Sequence, residues 1–252
     1  VSATLRRLLP EPGETTIAEL LDGYRPWEQP EEERPRVAVN FVTTVDGRAA
    51  LDGRTKDLGS EADTEMLQLL RTRFDAVMVG AGTMRAERYG RIVSDPQLRA
   101  RRERAGLPHD PLAVIVSGRL DLPWDAPIFT DGGGRILLFT ASDAEPPETA
   151  TPLRVVRHED FVDPVEMMRH LRHERGIRAL LCEGGPGLHG ELQAAGLIDE
   201  LFLTIAPLLT GGEAPRILEA ELIEPAGLEL AWLLEAGGEL FCRYRRRPQA
   251  LR

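Results

Sequence analysis

The sequence predicts an α/β domain, with a mixed, mostly parallel sheet flanked by helices on both faces. Three observations carry this expectation. Short, almost wholly apolar runs of strand length recur along the chain, they alternate with helix-patterned segments, and several end in turns rich in glycine or serine. Strands that are apolar on both sides belong to sheets covered on both faces. The last extended runs have no helices between them, so the late strands are expected to pair antiparallel.

Residues 1–35 differ from the rest. Residues 15–21 read as a short helix, and 26–35 are rich in proline and acid, with Glu31, Glu32 and Glu33 in succession. The sequence predicts an arm and linker over 1–35 and one domain over 36–252. The three glutamates read as a solvated stretch. Residues 37–42 form the first strand-like run. Residues 60–73 read as a helix capped by Ser60, with Glu61 and Asp63 in its first turn and Met66, Leu67, Leu69 and Leu70 as its apolar residues. Strands follow at 76–79, 112–116 and 136–139, with a short one at 155–156. A helix at 164–175 leads to a strand at 179–182. A helix at 188–195 leads to extended runs at 200–209, 228–234 and 240–246.

Composition excludes several functions. The chain has 252 residues, 42% hydrophobic and 29% charged, as in a globular protein. A net charge of −10 argues against nucleic acid as a partner. No apolar run approaches the roughly 18 residues of a membrane span, and the N-terminal residues carry no signal-peptide core, so a cytoplasmic protein is expected. Cys182 and Cys242 lie in apolar runs and read as buried thiols, and no metal site is expected. Lys56 is the single lysine. His170 and His173 read as a solvated helix face, and His109, His158 and His189 as structural or surface groups. There is no Gly-x-Ser-x-Gly nucleophile elbow.

The candidate chemistry lies at strand ends. Residues 76–79 run into Gly80-Ala81-Gly82-Thr83 and then a helical stretch. A strand, glycine turn and helix aim backbone N–H groups at an anion, although Arg85 occupies the third glycine of a full dinucleotide fingerprint. The alternative is a turn that needs glycine only for its geometry. The strand at 179–182 runs into Glu183-Gly184-Gly185-Pro186-Gly187-Leu188. Pro186 suits a first helical turn, and Glu183 sits where open α/β sheets place ligands, unless it merely caps the helix. The strand at 112–116 ends in Ser117-Gly118-Arg119, which suits a 2′-phosphate or a plain β-turn. Convergence of these strand ends points to one extended, multiply phosphorylated ligand. Asp46-Gly47 closes the first strand, either as a turn or as a carboxylate that orients substrate or relays a proton.

Together these segments resemble the pyrimidine reductase family of riboflavin biosynthesis, the RibD C-terminal domain. The resemblance rests on Val42-Thr43-Thr44-Val45-Asp46-Gly47-Arg48, on Leu69-Leu70-Arg71 followed by Phe74 to Thr83, on Val114 to Ser117, on Glu183 to Pro186, and on Gly196 to Leu201 with Ile205-Ala206-Pro207. It spans about residues 36–246. It implies a three-layer, dihydrofolate-reductase-like fold and NADPH as cofactor. It also implies hydride transfer to C1′ of the ring-opened imine of 5-amino-6-(5-phosphoribosylamino)uracil. By position, Gly80, Ala81, Gly82, Thr83, Glu87, Ser117, Gly184, Gly185, Pro186, Gly187 and Leu188 match cofactor contacts. Asn40, Thr55, Arg71, Arg91 and Glu183 match positions near the substrate, with Arg71 and Arg91 as partners for its phosphate. Asp46 and Glu183 are the candidate catalytic residues.

The chain departs from the family in three places. Asn40 stands where lysine is common, Glu87 where aspartate is common, and Arg88-Tyr89-Gly90-Arg91 replace a segment that usually begins with aspartate and proline. The zinc deaminase pattern of the bifunctional versions is not found, so no deamination is expected. The family implies a homodimer, with the late strands as its first candidate surface. A dihydrofolate or other pterin reductase, and a non-catalytic NADPH-binding protein, are the alternatives.

Overall fold

The computed structural model describes residues 3–51, 53–55 and 58–247. Lys56 lies outside the described residues. From the N-terminus come β1 (Thr4–Leu9), β2 (Gly13–Thr16) and α1 (Ile17–Asp22). Then follow β3 (Arg36–Thr44), α2 (Glu61–Arg71), β4 (Ala76–Gly80), α3 (Ala81–Glu87), α4 (Pro96–Arg104) and β5 (Leu112–Val116). The rest comprises α5 (Pro127–Thr130), β6 (Ile136–Thr140), β7 (Leu153–Arg157), α6 (Pro164–His173), β8 (Ala179–Cys182), α7 (Pro186–Ala194), β9 (Glu200–Ala206), β10 (Leu228–Ala236) and β11 (Glu239–Arg246).

All the strands join one sheet in the order β2-β1-β10-β11-β9-β3-β8-β4-β5-β6-β7. The run from β9 to β7 is parallel, and the pairings from β9 through β11, β10 and β1 to β2 are antiparallel. Strands β10 and β11 pair antiparallel as expected, but β9 lies parallel to β3 because α7 supplies the crossover between β8 and β9. It also stops at Ala206, since the following Pro207 has no N–H to continue the ladder.

Side chains alternate between two apolar layers. Val77, Val79, Ile115 and Leu181 face one core with Leu21 of α1, Met66 and Leu70 of α2 and Met84 of α3. Val39, Met78, Val114 and Leu180 face the other with Met167 and Leu171 of α6 and Leu192 of α7. That is a three-layer arrangement, with both cysteines buried and free.

The expected arm is instead part of the sheet. β1 pairs with β10, and Leu5 and Ile17 are fully buried in the same core as Phe202 and Trp232. The alternation in β1 is spread over arginines and leucines and gives no clear apolar face, which hides the strand in the sequence. Helix α4 is an element beyond those the sequence predicts. Asp95 caps it and Pro96 opens it, but it carries no apolar stripe, and its one buried residue is Arg102. That guanidinium donates to the carbonyls of Arg71, Phe74 and Pro108, and burial pushes its pKa down to about 10.

Candidate functional site

A cleft of about 1250 Å³ runs along the carboxyl ends of the parallel strands. It brings together Asn40, Thr55, Arg71, Glu87, Arg91, Ser117 and Glu183 with the turns at 80–83 and 185–188. Two expected residues do not line it. Gly184 lies inside its loop, and Asp46 is exposed beyond the cleft.

The two glycine turns meet. Gly80 N–H donates to Gly184 O at 2.8 Å, and Glu183 N–H donates to Met78 O at 2.9 Å. Helices α1, α2, α4 and α6 have side-chain caps from Thr16, Ser60, Asp95 and Asp163, and the Ile128 N–H of α5 donates to Tyr89 O. Helices α3 and α7 begin at Gly80 and Gly185 without side-chain caps, so their first N–H groups are left for an anion in the cleft. Gly184 has φ +100°, a conformation open to glycine, and a Cβ there would lie 3.2 Å from the Phe41 ring. A Cβ on Gly185 would lie 2.9 Å from Thr83 Oγ1, whereas one on Gly82, which lines the cleft, would meet no protein atom within 4 Å.

Arg71 and Arg91 each meet a carboxylate. Arg71 Nε and Nη2 donate to the two oxygens of Glu183 at 2.7 Å each, and Nη1 donates to Ile92 O. Tyr89 O–H donates to the same carboxylate at 2.9 Å. Burial opposes the charge on Arg71, but the Glu183 carboxylate more than offsets it and holds the guanidinium above its ordinary pKa. Burial and then Glu183 push the Tyr89 phenol up, so it stays protonated. Arg91 forms a second fork with Asp110, at 2.8 and 2.6 Å. Both arginines expected at a substrate phosphate are therefore committed to carboxylates. Arg119, exposed beside buried Ser117, lines the cleft outside these forks. Glu87 accepts from Thr55 N–H at 2.8 Å and from its hydroxyl at 2.9 Å, linking an expected cofactor position to an expected substrate position.

Asp46 holds a neighbouring segment. It accepts from Thr44 Oγ1 at 2.5 Å, Gly211 N at 2.7 Å and Thr210 N at 3.2 Å. Arg48 Nη1 donates to Ala214 O, and Ala49 N to Pro215 O, which brings Pro215 to the cleft wall. The Thr44 hydroxyl and the Gly211 amide hold Asp46 down at about 2.

Sequence reasoning missed two polar groups in the cleft. Tyr89 gave no signal beyond its place in a departing segment. Asp63 shows in the sequence only as a first-turn acid of α2, yet the residue lines the cleft, and burial pushes its carboxyl up to about 6. Among the described residues, no group of three metal-ligating side chains is assembled, and no helix is long and apolar enough to cross a membrane.

Comparison with known proteins agrees on one family. The profile of the RibD C-terminal domain matches residues 35–239. The 2,5-diamino-6-ribosylamino-4(3H)-pyrimidinone 5′-phosphate reductase of Archaeoglobus fulgidus is 30% identical over 195 residues, 75% of this chain and 88% of that protein. The reductase of the same name from Methanothermobacter thermautotrophicus is 30% identical over 221 residues, 84% of this chain and 98% of that protein. The crystal structure of a pyrimidine reductase-like protein from Corynebacterium diphtheriae superposes with a TM-score of 0.76 at 23% identity, covering 93% of this chain and all of that one (100%).

Proposed function

The chain belongs to the RibD C-terminal domain family, and from that premise we propose that it reduces a phosphoribosylamino-pyrimidine with NADPH. It is an oxidoreductase of riboflavin biosynthesis, and its relatives imply a reduced nicotinamide cofactor and a phosphorylated pyrimidine substrate. The acceptor is 5-amino-6-(5-phosphoribosylamino)uracil or its 2-amino counterpart, taken in the ring-opened imine form.

The observation that carries this proposal is the pairing of α3 and α7, two helix starts without side-chain caps, on the wall of one cleft. Their free N–H groups suit a pyrophosphate, and Gly82 leaves open the volume that a side chain would fill. Ser117 and Arg119 suit the 2′-phosphate that distinguishes NADPH from NADH. When bound there, the cofactor would supply the hydride for C1′, with the attached nitrogen taking its proton from water. The protein's part is to orient the acceptor and exclude bulk water. Glu183, fixed by Arg71, presents a carboxylate to an acceptor N–H. Asn40 and Thr55 line the same cleft. Asp46 acts indirectly, by holding the segment around Pro215 against the cleft.

A cytoplasmic homodimer completes the proposal. Exposed Val45, Leu208 and Leu209 lie together beside the late strands, where Val45 N–H donates to Leu208 O, and they offer an apolar contact. Sedimentation of the wild-type chain and of Leu209→Asp tests it: one monomeric species in both removes the dimer.

The activity test is NADPH oxidation with the two phosphoribosylamino-pyrimidines and with dihydrofolate, side by side. Turnover of dihydrofolate alone would establish the pterin alternative. NADPH binding without turnover of any of the three would leave a binding protein. Equal affinities for NADPH and NADH would remove the role given to Ser117 and Arg119.

A further inference from the structure

Of the seven phenylalanines, six are at most 8% exposed and belong to the two cores, whereas Phe161 is 66% exposed. A lone apolar side chain on open surface needs no explanation. Phe161, however, lines the cleft, with Val162 and Pro164 beside it. Its loop runs between β7 and α6 and is fixed at both ends. His158 N–H donates to Thr140 O at 2.8 Å, and the Asp163 carboxylate accepts from Val165 N–H at 2.7 Å and Glu166 N–H at 3.0 Å. Val162 packs against the core that α6 and α7 cover. The ring is thus held at the cleft by its neighbours in the chain.

The adjoining loops carry the polar groups proposed above for a 2′-phosphate. Ala141 N–H, after β6, donates to Gly118 O, after β5, at 3.3 Å, and the Thr140 hydroxyl donates to the same carbonyl at 3.3 Å. With the His158 bond, these contacts join the loops after β5, β6 and β7 in a row along one end of the cleft. From β5 to β7 is two strand spacings, about 10 Å, the reach of a single nucleoside. Charge divides this end further. Ser117 and Arg119 offer donors to an anion, while exposed Asp160 and Glu191 line the cleft together with Phe161. Carboxylates repel a phosphate and accept from an amine. An exposed ring beside acceptors, one nucleoside away from donors for an anion, suits a flat, uncharged base that bears an amine.

We propose that Phe161 stacks on the adenine of NADPH. The proposal rests on the cofactor reading above and deepens it, because it fixes the direction of the dinucleotide. The adenosine half lies across the ends of β5, β6 and β7, the pyrophosphate at the starts of α3 and α7, and the nicotinamide toward Asn40 of β3, on the other side of the glycine turns. Stacking on an aromatic side chain uses the face of the base, and removing such a ring costs about tenfold in affinity.

The test is calorimetric titration of the wild-type protein, Phe161→Ala and Phe161→Trp with NADPH and with adenosine 2′,5′-bisphosphate, the half of the cofactor that carries the base. Circular dichroism checks folding, which an exposed side chain contributes little to. Phe161→Ala should bind both ligands about tenfold more weakly, and Phe161→Trp should bind both at least as well as the wild-type protein. Unchanged affinities in Phe161→Ala would overturn the proposal. So would a loss on NADPH alone, which would move Phe161 to the nicotinamide end, and a loss that tryptophan fails to restore, which would make the effect one of loop structure. A wild-type protein that binds neither ligand defeats the cofactor reading itself, and this proposal with it.

Discussion

Arg71 at the end of α2 and Glu183 just after β8 are joined through two parallel hydrogen bonds of 2.7 Å, with side chains only 16% and 3% exposed. The fork ties helix α2 to the glycine turn that follows β8. Breaking a buried pair strands a charge, which costs about 3–5 kcal/mol. Arg71→Gln is therefore expected to lower the urea midpoint by an equivalent amount and to reduce turnover. A loss below about 1 kcal/mol, the range of a surface pair, would mean that Glu183 is held by other groups.

Asp46→Asn is expected to act through the segment at 208–216. The Thr210 and Gly211 amides should exchange faster with solvent, and KM should rise several-fold, with kcat little changed. The carboxyl is held below its ordinary value, at about 2. Its contribution is present above about pH 4 and is lost as pH falls toward 2. The difference in amide exchange between wild type and variant should shrink over that window. A kcat loss above tenfold with unchanged exchange would instead return Asp46 to proton transfer.

Gly82→Ala separates folding from binding. The position is helical and a Cβ there meets no protein atom. Alanine should raise stability by up to about 1 kcal/mol. The same methyl projects into the proposed phosphate site and should weaken NADPH binding by about tenfold. A thermal melt and a cofactor titration on one sample check both, and unchanged affinity would move the phosphates away from α3.

Asp63 gives stability the opposite pH dependence from Asp46. Its pKa is raised to about 6, first by burial, against the Thr204 hydrogen bond and with added repulsion from Glu239. A raised folded pKa contributes stability below the unfolded value, and this is lost as pH rises through about 6. The wild-type protein should lose at most about 3 kcal/mol relative to Asp63→Asn between pH 4 and pH 7. Parallel stability curves for the two proteins across that range would contradict the burial of this carboxyl.

Deleting residues 1–22 should damage the whole domain rather than trim an arm. Leu5, Ile17 and Leu21 are at most 1% exposed. Their burial contributes about 2 kcal/mol each, and the deletion also uncovers the edge of β10. Loss of that much should lower the melting temperature by at least about 10 °C. A truncated chain that melts unchanged would restore the linker assignment.

The strands and helices that build the parallel half were legible because each is encoded locally. An apolar run such as 76–80 has one way to be buried, and Ser60 before Glu61 marks a helix start whatever lies around it. The glycine turns were legible for the same reason. Helix α4 was not, because its buried face is an arginine whose partners are backbone carbonyls from other segments. Strand β1 was not, because its sequence mixes arginines and leucines and only Leu5 is buried, so it shows no regular apolar face.

Sequence alone determined the order of strand, glycine turn and helix that gives α3 and α7 their free N–H groups, since a backbone turn depends on the few residues within it. Only the tertiary structure decided which charges remain available in the cleft. Arg71 meets a carboxylate 112 positions away, Asp46 caps a segment 165 positions away, and Asp63 is left without a described cationic partner. Side-chain charges are neutralised by whatever the fold brings within about 3 Å, and that distance has no counterpart along the chain.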